Sequence, residues 1–177
     1  MSAVLGIHHI TAMAGAPQEN IDFYTRTLGL RLVKRTVNFD DPYTYHFYFG
    51  NETGQPGTIL TFFPWGASSL RGRHGNGQVE GTAFSIPAGS INYWIERLAT
   101  LDVAFDGPDT RFDETYLSCR DRDGAVLELV EHAADRRHAW ANGEIPVEHA
   151  IRGFHHATLD YARHRGCRFG YRAGHSS

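Results

Sequence analysis

Gly6-Ile7-His8-His9-Ile10-Thr11 and Gly153-Phe154-His155-His156-Ala157-Thr158 are two near-identical hexapeptides at opposite ends of a chain of 177 residues. The first opens a long, regularly patterned segment; the second opens one whose pattern stops after Leu159. A comparable unit begins between them, so strand starts fall at Ile7, Val79 and Phe154 with a nearly constant period. Repeats of this kind are units that cannot bury their apolar faces alone and must pair.

The first unit reads as strand Ile7–Ala12, a short amphipathic helix with Ile21, Phe23, Tyr24, Leu28 and Leu30 closed by Gly29, and three further strands. These are Arg31–Asn38, aromatic-rich Tyr43–Gly50 and Gly57–Phe63, the last two joined by the turn-rich Asn51–Pro56. The order βαβββ returns in the second unit. Val79–Ile86 is a strand, Ser90–Leu101 a helix, and Val103–Phe105 a short strand before the turn Asp106-Gly107-Pro108. Thr115–Arg120 and Ala125–Glu131 complete it. The expected fold class is α+β, with tandem βαβββ modules forming curved mixed sheets. Module 1 covers residues 1–70, a linker 71–77, module 2 residues 78–135, a connector 136–152, and the start of a third module 153–160. Residues 161–177 carry Arg163, Arg165, Arg168 and Arg172 with no acidic residue or periodicity, and are expected to form a disordered basic tail.

Composition bounds the function. A formal charge of −3 gives no support for a nucleic-acid or membrane-surface partner. Cys119 and Cys167 stand far apart, which argues against both a disulfide framework and a structural zinc. No apolar run approaches the ~18 residues of a membrane span, and no secretory signal is visible. A cytoplasmic protein is expected.

Few residues can carry chemistry. Successive strand side chains point to opposite faces, so His8 and His9 are expected not to face one site at close range. One of them can point into a concave sheet as a metal ligand, since a strand is a rigid platform for imidazole. Glu128, in Leu127-Glu128-Leu129, alternates with apolar neighbours and could add the carboxylate of a two-histidine, one-carboxylate site. The repeat aligns Glu128 with Thr61 and His9 with Gly81, neither of which is a good ligand. A planar substrate would be lined either by Tyr45, Phe47 and Phe49 or, on the other face, by His46 and Tyr48. Phe62, Phe63 and Trp65 read as core, and His74 as a solvated loop residue.

The βαβββ duplication, the opening Ile7-His8-His9-Ile10-Thr11, and Phe23-Tyr24 before Leu28-Gly29-Leu30 resemble the vicinal oxygen chelate superfamily of glyoxalase I, bleomycin-resistance proteins and extradiol dioxygenases. The stretch Arg31–Pro42, then Tyr45-His46 and Gly54-Gln55-Pro56-Gly57-Thr58, is similar to the ring-cleaving branch that includes hydroquinone 1,2-dioxygenases. The resemblance implies four modules in about twice this length, with Fe(II), or Mn(II), held by two histidines and a glutamate. His9 matches the ligand of the first module, and the other two belong to a fourth module. His8 matches a residue of the substrate pocket and is the candidate catalytic residue. His155 matches a common third-module residue, and His156 receives no ligand role.

The implied reaction is O2-dependent cleavage of a hydroquinone- or catechol-like phenol. The expectation is the N-terminal part of such a dioxygenase, with an incomplete metal site and inactive alone. Two alternatives stay open. One is a dimeric glyoxalase-type metalloenzyme in which His9 and Glu128 meet across the interface; the other is a metal-free binding module of the bleomycin-resistance type. Modules that must pair leave apolar faces exposed, so a homo-oligomer is expected.

Overall fold

A computed structural model describes residues 6–66, 72 and 75–160. The expected tail 161–177, His74, and residues 71, 73 and 74 of the expected linker lie outside the described residues. Strands β1 (His9–Ala14), β2 (Arg31–Val37), β3 (Tyr45–Gly50) and β4 (Ile59–Pro64) form one mixed sheet in the order β1-β4-β3-β2. Strands β5 (Val79–Ile86), β6 (Phe105–Arg111), β7 (Glu114–Arg120), β8 (Val126–Glu131) and β9 (Gly153–Leu159) form a second, in the order β6-β7-β8-β5-β9. The fold is α+β.

The two sheets are copies of one plan. In each unit the first strand runs parallel to the last: His9 lies opposite Ile59 and Thr11 opposite Thr61, while Gly81 lies opposite Val126 and Ala83 opposite Glu128. The ladders therefore equate His9 with Gly81 and Thr61 with Glu128, as the repeat implies. One difference breaks the copy. β9 adds antiparallel to β5, whereas β1 is an edge strand among the described residues.

Helix α1 (Pro17–Asp22) begins with a proline, whose fixed φ suits a first turn, and continues as a π-helical turn over Phe23–Thr27. That wider turn bonds Leu28 N to the Phe23 carbonyl and buries Phe23, Tyr24 and Leu28 together. Gly29 ends it at φ +68, where a Cβ would stand 2.5 Å from Ile145 Cδ1. Helix α2 (Ile91–Thr100) buries Ile91, Trp94 and Leu98 at helical spacing. One face of each sheet, both helices and Ala139, Ile145, Ala150 and Ile151 of the connector share a single apolar cluster.

Polar ties cross between the units. Tyr24, fully buried, donates through its hydroxyl to Asp121 at 2.8 Å in the β7–β8 turn. Arg97 of α2 donates through Nε to the Thr27 carbonyl at 2.9 Å and through Nη2 to that of Arg26, closing the end of the π-helical turn. Arg137 donates to the carbonyls of Gly57 and Phe154, and Phe154 N donates to the same Gly57 carbonyl.

Two local expectations change. The expected turn Asp106-Gly107-Pro108 lies within β6, which runs to Arg111. A register shift between Asp106 and Asp109 lets the strand pass a proline that cannot donate to the ladder. Of the three residues read as core, Phe62 is buried, Phe63 lies on the opposite face of β4, and Trp65 is 57% exposed beyond the strand end.

Candidate functional site

Side-chain parity sorts the first sheet into two faces. Phe47, Phe49, Leu60 and Phe62 are buried in the core. The opposite face is fixed by cross-strand partners: Thr11 pairs with Thr61, Thr61 with Tyr48, and Tyr48 with Lys34. His9, His46 and Phe63 belong to that face by the same parity. It is a polar and aromatic surface. Tyr48 Oη lies 3.0 Å from His46 Nδ1, the His46 ring sits 4.0 Å from that of Phe63, and Lys34 Nζ lies 5.4 Å from the Tyr48 ring centre. Thr61 and Thr11 hydroxyls bond at 2.9 Å. Burial first, then the charges of Lys34 and His9, push His46 below the ordinary imidazole range, so it is neutral at neutral pH. Of the two linings left open by the sequence, His46 and Tyr48 face outward from the core.

His8 and His9 meet despite the expected alternation. His8 precedes β1, so the pleat does not govern it, and its Nδ1 lies 3.1 Å from His9 Nδ1. Both rings are exposed.

The corresponding face of the second sheet carries a denser constellation. Glu128 on β8 and His156 on β9 both lie beside Ala83. Arg111 ends β6 and Glu114 begins β7, brought opposite each other by a two-residue turn in which Phe112 and Asp113 have φ of +53 and +66. Arg111 donates to both Glu128 oxygens, at 3.3 and 2.5 Å, and His156 Nε2 lies 3.3 Å from Oε2. A hydrogen bond from His156 and the Arg111 guanidinium outweigh the upward push of burial and hold the Glu128 carboxyl near about 2.

β9 is irregular between His156 and Phe154, and this shift turns His155 to the side of His156; their Nδ1 atoms lie 2.8 Å apart. His155 Nε2 lies 3.1 Å from Glu114 Oε2, and His132 Nδ1 lies 2.6 Å from Glu114 Oε1. Glu114, His132 and His155 thus place one carboxylate and two imidazole donors within 4.8 Å of one another. Burial works to raise Glu114, but hydrogen bonding from His132 and the nearby His155 outweigh it and lower it, while burial lowers His155. At neutral pH the cluster is a carboxylate with a neutral His155.

The sequence candidates therefore divide between two sheets. His9 stands on, and His8 just before, the edge strand of the first among the described residues, and Glu128 sits in the second, ion-paired to Arg111. Sequence reading did not single out Glu114, His132 or Arg111. Glu114 and Arg111 gain their place from a hairpin turn that contains no glycine, and His132 from lying one residue past β8. The only signal was the histidine pair at 155 and 156, whose partners are distant in sequence. Cys119 is buried, and burial pushes its thiol up to about 12, so it offers no nucleophile.

Two tandem βαβββ units, each with a polar sheet face backed by a shared apolar core, define a glyoxalase-like fold. Residues 6–129 match the family model described as Glyoxalase/Bleomycin resistance protein/Dioxygenase superfamily, and the chain belongs to that superfamily. It is 52% identical over 155 residues to a Bacillus subtilis (strain 168) protein named "Putative ring-cleaving dioxygenase MhqO", covering 88% of this chain and 49% of that protein. It is 38% identical over 163 residues to the chlorohydroquinone/hydroquinone 1,2-dioxygenase of Sphingobium indicum, covering 90% of this chain and 51% of the relative. The crystal structure of a "putative dioxygenase" from Bacillus subtilis subsp. subtilis str. 168 superposes with a TM-score of 0.84 at 50% identity, over 90% of this chain and 51% of that one. The chain thus spans about half the length of the curated relatives it matches. No helix among the described residues is long and apolar enough to cross a membrane.

Proposed function

We propose that this chain contributes the first-sheet half of a ring-cleaving dioxygenase site, acting with O2 on a small hydroquinone- or catechol-like phenol in the cytoplasm. The observation that carries this reading is the outward face of the first sheet. There His9 shares an accessible surface with His46, Tyr48 and Phe63, in a chain 38% identical to a hydroquinone 1,2-dioxygenase.

The resemblance implies a resident Fe(II), or Mn(II), which His9 would help to hold and which would supply activation of the phenol and O2. On the first sheet the described residues fit it only in part. The contact with His8 engages His9 Nδ1 and leaves its Nε2 open to the ion. The remaining ligands must come from other segments, so the isolated chain is expected to be inactive. Glu128 is not proposed as one of them, because a cation there would have to displace the Arg111 guanidinium from both carboxylate oxygens. The same pairing disfavours a dimeric site made from His9 and Glu128.

The chain's own residues then have definite tasks. His8 orients the His9 ring through their contact. Phe63 and Tyr48 supply flat apolar surface for a planar ring, while neutral His46, through Tyr48, can accept a phenolic proton. Replacing the matching half of MhqO with this chain should yield hydroquinone-dependent O2 uptake that falls at least about 1,000-fold in His9→Ala. Uptake unchanged by that substitution would refute the ligand assignment.

The outer edge of β1 is proposed to take an antiparallel strand, as β5 takes β9. In the isolated chain a second copy supplies it, giving a homo-oligomer. A single monomeric species in sedimentation velocity would contradict this.

A further inference from the structure

Outside the surface around His9, the second sheet gathers Glu114, His132 and His155 from three separate segments. The carboxylate lies 2.6 Å from His132 Nδ1 and 3.1 Å from His155 Nε2. Ligands bound cis to one another at about 2.1 Å in an octahedron stand about 3 Å apart, so these separations need only small adjustments to enclose a cation. The donor set is two imidazoles and a carboxylate, which suits borderline first-row metals and leaves open positions on them. The side chains are 24%, 28% and 20% exposed for His132, Glu114 and His155, so the donors are partly dehydrated yet reachable from solvent.

We infer that Glu114, His132 and His155 form a binding site for a divalent first-row transition-metal cation, separate from the position of His9. The surrounding groups are arranged to support it. With His155 Nε2 on the cation, its Nδ1 carries the proton and donates to His156 Nδ1, 2.8 Å away. His156 Nε2 in turn lies 3.3 Å from Glu128 Oε2 and 3.1 Å from Arg111 Nη2, which donates to the same Oε2. A ligand histidine whose second nitrogen is held by a chain ending in a carboxylate is the usual outer support of a protein metal site. The main-chain positions are equally fixed. Glu114 follows a two-residue hairpin turn, His132 N is bonded to the Ile86 carbonyl at 3.0 Å, and His155 sits in the β9 irregularity.

The test is a titration of Co(II) into the metal-stripped 177-residue chain, followed by visible absorption, with Zn(II) as competitor. The expected result is a saturable Co(II) spectrum displaced by Zn(II), unchanged in His9→Ala. Affinity should fall at least about 100-fold in Glu114→Gln and about 10-fold in His156→Ala, in which the ligands remain but their support is lost. In the unaltered chain, substoichiometric Mn(II) should broaden the NMR signals of His132 and His155 before those of His9, a readout that does not depend on any variant folding. No spectrum with the folded chain, or equal affinity in a folded Glu114→Gln, would overturn the site. So would broadening that begins at His9. Loss of the spectrum in His9→Ala alone would assign the bound metal to the first sheet instead. Neither result depends on ring-cleaving activity.

Discussion

Glu128 meets two cationic or donating neighbours, the His156 imidazole and the Arg111 guanidinium. With His156 and Arg111 beside it, its carboxyl lies near about 2 rather than 4.5. A carboxyl whose folded value is depressed stabilises the fold above its unfolded value and loses that contribution as pH falls through the folded one. Glu128 therefore adds stability above about pH 4.5 that disappears toward pH 2. Arg111→Met should move the Glu128 carboxyl upward in a carbon-detected NMR titration and flatten the acid limb of the stability curve. An unmoved carboxyl would mean that His156 alone holds it. Tyr24 is the comparable residue in the core. Its hydroxyl joins two backbone N–H groups, of Asp123 and Ala125, in satisfying the buried Asp121 carboxylate. Tyr24→Phe removes one of the three donors and should cost about 1–2 kcal/mol in urea unfolding.

At the scale of elements, the β6–β7 hairpin sets the second polar face. Phe112 and Asp113 hold positive φ without being glycine, and Phe112 is 84% exposed, so no packing offsets its strain. Asp113→Gly should relax the turn while preserving the Arg111–Glu114 pairing, raising the unfolding free energy by about 0.5–1 kcal/mol. A lowered urea midpoint would show that the Asp113 side chain does something beyond permitting the turn. The hairpin was not legible in the sequence because its turn lacks the usual glycine. The parallel pairs β1–β4 and β5–β8 were legible, since alternation and the repeat both marked them. β9 was marked too, but not the irregularity that turns both of its histidines to one side.

Across the whole molecule, Arg137 joins the units. It donates to the Asp135 carboxylate on one side and to the carbonyls of Gly57 of the first unit and Phe154 of β9 on the other. Gly153 must be glycine at this junction: at φ +153, a Cβ would lie 2.5 Å from Arg137 Nη1 and 2.7 Å from the Gly57 carbonyl oxygen. The first copy differs: nothing lies within 4 Å of a Cβ built on Gly6, so there only its φ of +145 calls for glycine. Burial works to raise Asp135, whose side chain is 5% exposed, but the hydrogen bonds from Arg137 outweigh it and hold the carboxyl near about 2. Arg137→Ala removes the guanidinium from that carboxylate, leaving it the backbone N–H of residue 137, and should cost about 3 kcal/mol in urea unfolding. A loss below about 0.5 kcal/mol would show that the apolar cluster alone joins the units.

The sequence by itself determined the repeat, the βαβββ order and the superfamily, because these rest on alternation, helical spacing and local turn residues that act within a few positions of themselves. It also marked His9 by resemblance. Only the tertiary structure decided what the two histidine pairs face. Among the described residues β1 leaves His9 on an edge strand, while β9 closes on β5 and carries His155 and His156 to Glu114, His132 and Glu128. Those contacts join residues far apart in the chain, and no periodicity encodes which carboxylate an imidazole will meet across a sheet.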